Sequence, residues 1–151
     1  MKITYKGDYA LKAILDLCFR YAGDDIVPIT DIAQRQNIPV KYLEQIMLVL
    51  KGAGLVESKR GLGGGFRLRR PPDQITVGQV LRLLEGPLEP IACSRPKHDG
   101  SCGEESSCAF REIWLKVSDA ITGIVDQVTF SQIMQRTREI QEQQTAIHYH
   151  I

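Results

Sequence analysis

The stretch IPVKYLEQIMLVLKGAGLVESKRGLGGGFRLRRPP, from Ile38 to Pro72, constrains the fold of this 151-residue chain more than any other. From Val40 onward, Leu43, Ile46, Met47 and Leu50 recur at steps of three and four, the pattern of a helix with one inward face, and Gly52 and Gly54 stop it. Two short strand-like runs follow, residues 55–58 and 66–69, joined by a glycine-rich turn and halted by Pro71 and Pro72. Upstream, Ala10, Leu11, Ile14, Leu15, Cys18 and Tyr21 predict an amphipathic helix over residues 8–22, ending near Gly23. Thr30 is placed to N-cap a second helix, TDIAQRQN, which Pro39 closes. Three helices and then a basic hairpin give the order of a winged helix, within a fold expected to be mainly α with one small β-hairpin.

Beyond the hairpin, TVGQVLRLLE predicts a short helix over residues 76–85, stopped by Gly86 and Pro87. After a cysteine-bearing loop, Phe110, Ile113, Trp114, Val117, Ile121, Ile124, Val125 and Val128 form one continuous apolar stripe on a long helix. So wide a stripe beyond a small domain needs a partner, and a two-fold homodimer supplies one. The competing reading is that the helix folds back on its own domain. The rest, from Thr129, is polar and Gln-rich, helical at first and frayed at HYHI. The expected organisation is therefore a winged-helix DNA-binding domain at 1–86, a cysteine-containing loop at 87–108, and a dimerisation helix with polar tail at 109–151.

The net charge of +1 is unevenly spread: residues 35–70 hold eight Lys/Arg against Glu44 and Glu57, a balance of +6 that leaves −5 for the remainder. In a helix-turn-helix the exposed side chains near the start of the second helix reach base edges in the major groove. Here those are Val40, Lys41, Glu44 and Gln45, and Gln, Lys and Glu can pair with adenine, guanine and cytosine respectively. A merely solvated helix face would carry the same residues. The hairpin favours nucleic acid: Lys59 and Arg60 sit at its tip beside Gly61, Gly63, Gly64 and Gly65, joining a tight turn to cationic charge suited to phosphates or a narrow minor groove. A nucleotide-phosphate loop would want its glycines between a strand and a helix. Asp8, Lys12 and Asp16 interrupt any signal-peptide core, and no run approaches a membrane span of roughly 18 apolar residues. A cytoplasmic protein is expected. No nucleophile with an orienting base stands at a recognisable spacing, so an enzyme is not.

The chain has four cysteines. Cys18 falls on the buried stripe of the first helix and reads as core. Cys93, Cys102 and Cys108 instead lie in ACSRPKHDGSCGEESSCAF, and from Cys93 to Cys108 no aliphatic or aromatic side chain accompanies them. In a reducing compartment such a group is metal-binding or redox-active rather than a disulfide framework. Zinc would draw on Cys93, His98, Cys102 and Cys108, without the close CxxC knuckles it favours. A thiol switch would use Arg95 and Lys97 to lower a neighbouring pKa. An iron–sulfur carrier would leave the basic hairpin unexplained.

The segments GDYALKAILDL, IPVKYLEQIMLVLKGAGLVESKRGLGGGFRLRR and three cysteines ahead of a long helix resemble the bacterial winged-helix regulators that include the iron–sulfur cluster regulator (IscR), the nitric-oxide-sensitive repressor (NsrR) and the cysteine-metabolism repressor. The likeness runs over nearly the whole chain. It implies a homodimer on a pseudo-palindromic operator, with Lys41, Glu44 and Gln45 in the major groove and Arg60 of the wing in the minor groove. It also implies that Cys93, Cys102 and Cys108 ligate an iron–sulfur cluster, 2Fe–2S being favoured over 4Fe–4S. Some relatives lack these cysteines and sense otherwise. The spacing C-x8-C-x5-C is wider in its first gap than is usual among the family's sensors, and Arg111 stands where the cluster regulator has a ligating histidine. Another branch takes its fourth ligand from an acidic residue early in the partner's first helix, a position matched here by Asp8, whose alternative role is an N-cap.

Overall fold

The computed structural model describes residues 2–95, 100, 102, 103 and 106–148. His98 and Lys97, considered above for zinc and for a thiol switch, lie outside the described residues. Among the described residues are six helices, α1 (Tyr5–Cys18), α2 (Ile29–Gln36), α3 (Val40–Gly52), α4 (Val77–Glu85), α5 (Ala109–Val125) and α6 (Phe130–His148), and one antiparallel hairpin, β1 (Val56–Lys59) with β2 (Gly65–Leu68). The chain is mainly helical, as the periodicity predicts.

Helix α1 starts three residues earlier than its apolar pattern suggests, because Thr4 caps it by accepting from the Lys6 amide at 3.2 Å. Asp8 is thus a first-turn residue and not an N-cap. Helix α2 likewise begins ahead of Thr30, behind Pro28, and Thr30 makes no cap bond. What ends α2 is Asn37 in the left-handed region at φ 52°, a conformation asparagine tolerates, and Pro39 serves instead as the N-cap position of α3. Leu43, Ile46, Met47 and Leu50 all face inward and are fully buried, which fixes the outward face of α3.

The hairpin pairs Val56 with Leu68, Glu57 with Arg67, Ser58 with Phe66 and Lys59 with Gly65. Val27 extends this small sheet by a reciprocal pair of 2.8 Å hydrogen bonds with Phe66. Gly65 is needed there, since a Cβ would collide with the Val27 carbonyl. The core gathers α1, α2, α3, the hairpin and α4 around Ile14, Leu17, Ile32, Leu55, Ile75 and Val80. Each such side chain contributes about 1.5–3 kcal/mol when buried. Asp16, buried between α1 and α2, takes two bonds from the Arg35 guanidinium at 2.9 and 2.7 Å and one from Gln36 at 3.1 Å, so its charge is paired.

The expected single helix through Val128 is broken. Residues 126–129 form an elbow held on the edge of α4: the Val77 amide donates to the Val128 carbonyl at 3.0 Å, the Phe130 amide donates to the Ile75 carbonyl at 2.9 Å, and Arg82 forks onto Asp126. Phe130 plugs into the core at 1% exposure, and α6 runs back along α1, with Arg138 over the Phe19 ring at 5.5 Å. The polar tail is therefore helical as far as His148 and packs on α1, while α5, the helix that bears the apolar stripe, touches α4 and the Ala92–Ser94 turn along one side.

Candidate nucleic-acid interface and cysteine centre

The buried face of α3 leaves Val40, Lys41, Glu44 and Gln45 exposed together on its first turns. Tyr42 joins them, 43% exposed, its ring held edge-on by Tyr9 of α1 at 5.7 Å. Sequence reasoning passed over Tyr42, although its position between Lys41 and Leu43 puts it at the margin of the same face. The wing presents Lys59, Arg60, Gly61, Leu62 and Gly63 to solvent, with Gly64 half-buried. Its turn closes through a 2.9 Å bond from the Gly64 amide to the Gly61 carbonyl, with φ of +89° and +70° at Gly61 and Gly63 that side-chain-bearing residues resist.

Between α3 and the wing runs a groove lined by Ile29, Leu48, Lys51, Ser58, Lys59 and Arg60, where Lys51 donates to Ser58 Oγ at 2.6 Å. Not all the positive charge of residues 35–70 faces this groove. Arg35 is taken up by Asp16, and Arg67 binds both Glu57 and Asp24. Their carboxylates hold both guanidinium groups above the ordinary arginine range, chiefly by hydrogen bonding. Of the charge that remains, Lys41 stands at the start of α3, Lys51 at its end, Lys59 and Arg60 on the wing, and Arg69 and Arg70 just beyond β2.

All four cysteines are free thiols. Cys18 is buried on α1, and desolvation pushes its thiol up to about 12, so it stays protonated and inert as the apolar stripe predicts. Cys93 lies half-buried in a single 3₁₀ turn, Ala92–Ser94, which is tied to α5 by a 3.4 Å bond from Ser118 Oγ to the Ser94 carbonyl. Cys102 is exposed, and Cys108 is half-buried at the N-cap position of α5. Among the described residues no three His, Cys, Asp or Glu side chains converge within the single chain. Asp8 sits on α1, where it accepts from Lys12 Nζ at 2.6 Å. The donor set nevertheless fits a soft-metal centre: three accessible thiols, none in a disulfide, on a loop tethered at both ends.

The profile of a family described as "Rrf2: Iron-dependent Transcriptional regulator" matches residues 3–136. The chain belongs to the Rrf2 family. It is 36% identical over 142 residues to the HTH-type transcriptional regulator CymR of Bacillus subtilis, covering 94% of this chain and 96% of that one. It is 37% identical over 134 residues to the HTH-type transcriptional regulator IscR of Aliivibrio salmonicida, covering 89% and 77%. Among solved structures, B. subtilis CymR, titled the global cysteine regulator, superposes with a TM-score of 0.75 at 34% identity over 90% of this chain and 98% of that one. T. potens IscR follows with a TM-score of 0.74 at 35% identity over 93% and 91%. This Rrf2 protein is thus a DNA-binding transcriptional regulator and not an enzyme, and among its described residues no helix is long and apolar enough to cross a membrane.

Proposed function

We propose that this Rrf2 protein is a cytoplasmic, homodimeric repressor whose operator affinity is controlled by an iron–sulfur cluster, 2Fe–2S in preference to 4Fe–4S, on Cys93, Cys102 and Cys108, with Asp8 of the partner subunit as fourth ligand. The observation that carries the reading is the position of the three free thiols: they occupy the segment joining the winged helix to α5, and α5 has an uncovered apolar face. Phe110, Ile113 and Ile124 are 67%, 53% and 65% exposed, and Val117 lies beside them. Pairing that face across a two-fold axis removes it from water and brings the first helix of one subunit toward the loop of the other. Residues 1–86 then bind the pseudo-palindromic operator, 87–108 hold the cluster, and within 109–151 the helix α5 joins the subunits while the polar tail follows it.

In the division of labour on DNA, Val40, Lys41, Glu44 and Gln45 read base edges, while Lys59 and Arg60, presented by Gly63 and Gly64, engage phosphates and the minor groove. The bound cluster supplies a redox-responsive cross-link between loop and first helix. Cys93 ties the site to α5 through Ser94 and Ser118, and Cys108 ties it to the start of the same helix, so a change at the thiols bears on the dimer axis. Signals consistent with such a site are iron supply, redox state and nitric oxide.

A second reading, thiol oxidation at the same cysteines, draws support from the likeness to Staphylococcus aureus CymR, solved in an oxidized form, with a TM-score of 0.69 at 33% identity. Zinc at these cysteines is the other arm of that reading. Anaerobic purification followed by absorption spectroscopy and iron and sulfide analysis separates them. A coloured protein holding iron and sulfide, colourless once Cys93, Cys102 and Cys108 are all alanine, is the expected result. A colourless parent with zinc, or with no metal, selects the second reading.

A further inference from the structure

We propose that Glu85 is the positioning residue for Asp8, its carboxylate clamping the first turn of α1 and thereby fixing where Asp8 is presented; this rests on Asp8 being the fourth ligand. Glu85 is the last residue of α4, 81 and 78 residues in sequence from its partners Thr4 and Gly7. Its Oε1 accepts from the Thr4 amide at 2.9 Å, from Thr4 Oγ1 at 2.8 Å and from the Gly7 amide at 2.9 Å. The first amides of a helix have no partner within it, and the positive end of the helix dipole favours an anion there. Glu85 supplies both needs from another element.

Gly7 makes this approach possible. A Cβ at that position would overlap Glu85 Oε1 and come within 3.1 Å of its Cγ and Cδ. Glycine in a helix is costly relative to alanine, and here it admits the carboxylate. Glu85 thus holds the amide of the residue immediately before Asp8, while the Asp8 amide closes on the Thr4 carbonyl at 3.1 Å. Among the described contacts Glu85 does not touch the Asp8 side chain, which turns to Lys12, so its action on a bound group passes through Asp8. On its other side Glu85 roots the cysteine segment. Gly86, at φ +79°, turns the chain out of α4, and Leu88, 2% exposed, anchors it on the way to Cys93. One carboxylate therefore fixes the turn that carries Asp8 and the point where the cysteine loop departs.

The test compares the parent with Glu85→Ala, Glu85→Gln, Gly7→Ala, Asp8→Ala and the double variant Glu85→Ala/Asp8→Ala. Each is reconstituted anaerobically with iron and sulfide, and loss of the visible band to an iron(II) chelator is timed. The expectation is that Asp8→Ala, Glu85→Ala and Gly7→Ala each lose the cluster about tenfold or more faster, the range seen when the partner of a metal ligand is removed. Glu85→Gln, which keeps an acceptor oxygen in place, stays near the parent, and the double variant is no faster than Asp8→Ala alone. In the apo proteins, exchange of the Gly7 amide rises in Glu85→Ala but not in Asp8→Ala. The inference is overturned if Asp8→Ala is fast while Glu85→Ala and Gly7→Ala match the parent, or if the double variant multiplies the two single effects. A parent rate unchanged in Asp8→Ala removes the fourth-ligand reading and the Glu85 inference together.

Discussion

Gln45 of α3 and Arg60 of the wing, both exposed, show how two residues of the proposed DNA-binding surface should act differently. Gln45 projects from a helix whose opposite side is locked by Met47 and Leu50, so a bidentate contact from it to one base is held in register. Gln45→Ala should lose discrimination at a single base pair, worth about 1–3 kcal/mol, while leaving the salt dependence unchanged. Arg60 stands at the tip of a glycine turn that offers charge and no fixed frame. Arg60→Ala should weaken binding to every sequence and flatten the slope of log affinity against log salt by about one counterion. Quantitative binding to a selected operator and to single-base variants, at several salt concentrations, distinguishes the two. The outward placement of Gln45 was legible because an inward-facing set at positions 43, 46, 47 and 50 dictates what faces outward. Cys18 was legible for the same reason. What the sequence concealed was pairing: Arg35 and Arg67 count toward a basic segment, yet Asp16 and Asp24 lie too far along the chain for a local pattern to reveal their claim on them, and Glu57 meets Arg67 only through the hairpin register.

Among the elements, α5 bears the most direct consequence for assembly. Only Ser118 is buried along its seventeen residues; Trp114, Leu115, Ile121 and Val125 are half-buried, and Phe110, Ile113, Val117 and Ile124 stay exposed. Ile121→Glu should place an unpaired charge in the paired face and yield a monomer by sedimentation, with the winged helix still folded by circular dichroism. Persistence of the dimer would mean that the subunits meet elsewhere. The existence of α3, α4 and the hairpin followed from periodicity and glycine placement, while the capping box of Thr76 with Gln79 at the start of α4 is a feature the structure adds. The shifts at the start of α1 and at the end of α5 involve partners distant in sequence, whereas those of α2 are local, set by Pro28 and Asn37. Helix α1 is extended by Thr4 with Glu85, and the break between α5 and α6 is set by Arg82, Val77 and Ile75 rather than by residues 126–129 themselves. The apolar stripe runs through that elbow without interruption, because Val128 stays half-buried beside α4.

At the scale of the molecule, α1 is the central packing element. It packs on α2, α3, α4 and α6, carries Asp8 near its start, and meets the reading helix through the Tyr9–Tyr42 contact. A cross-link from the cysteine loop of one subunit to the first helix of the other would bias the spacing of the two reading heads, and it alters DNA affinity only as far as it favours one spacing over the other. Three thiols could be placed on a loop from sequence alone, but the site proposed for them draws on a second subunit, which no pattern within one chain contains. The measurement that reaches this most directly is the affinity of one selected operator, at fixed salt under anaerobic conditions, for three preparations: the reconstituted protein, the same protein stripped of iron, and the variant with Cys93, Cys102 and Cys108 all replaced by alanine. The account predicts that the reconstituted and stripped forms differ by roughly 5–150-fold, the span of ordinary allosteric coupling, and that the alanine variant behaves as the stripped form whatever the iron supply. Equal affinities for all three, with iron and sulfide present in the first, would contradict it.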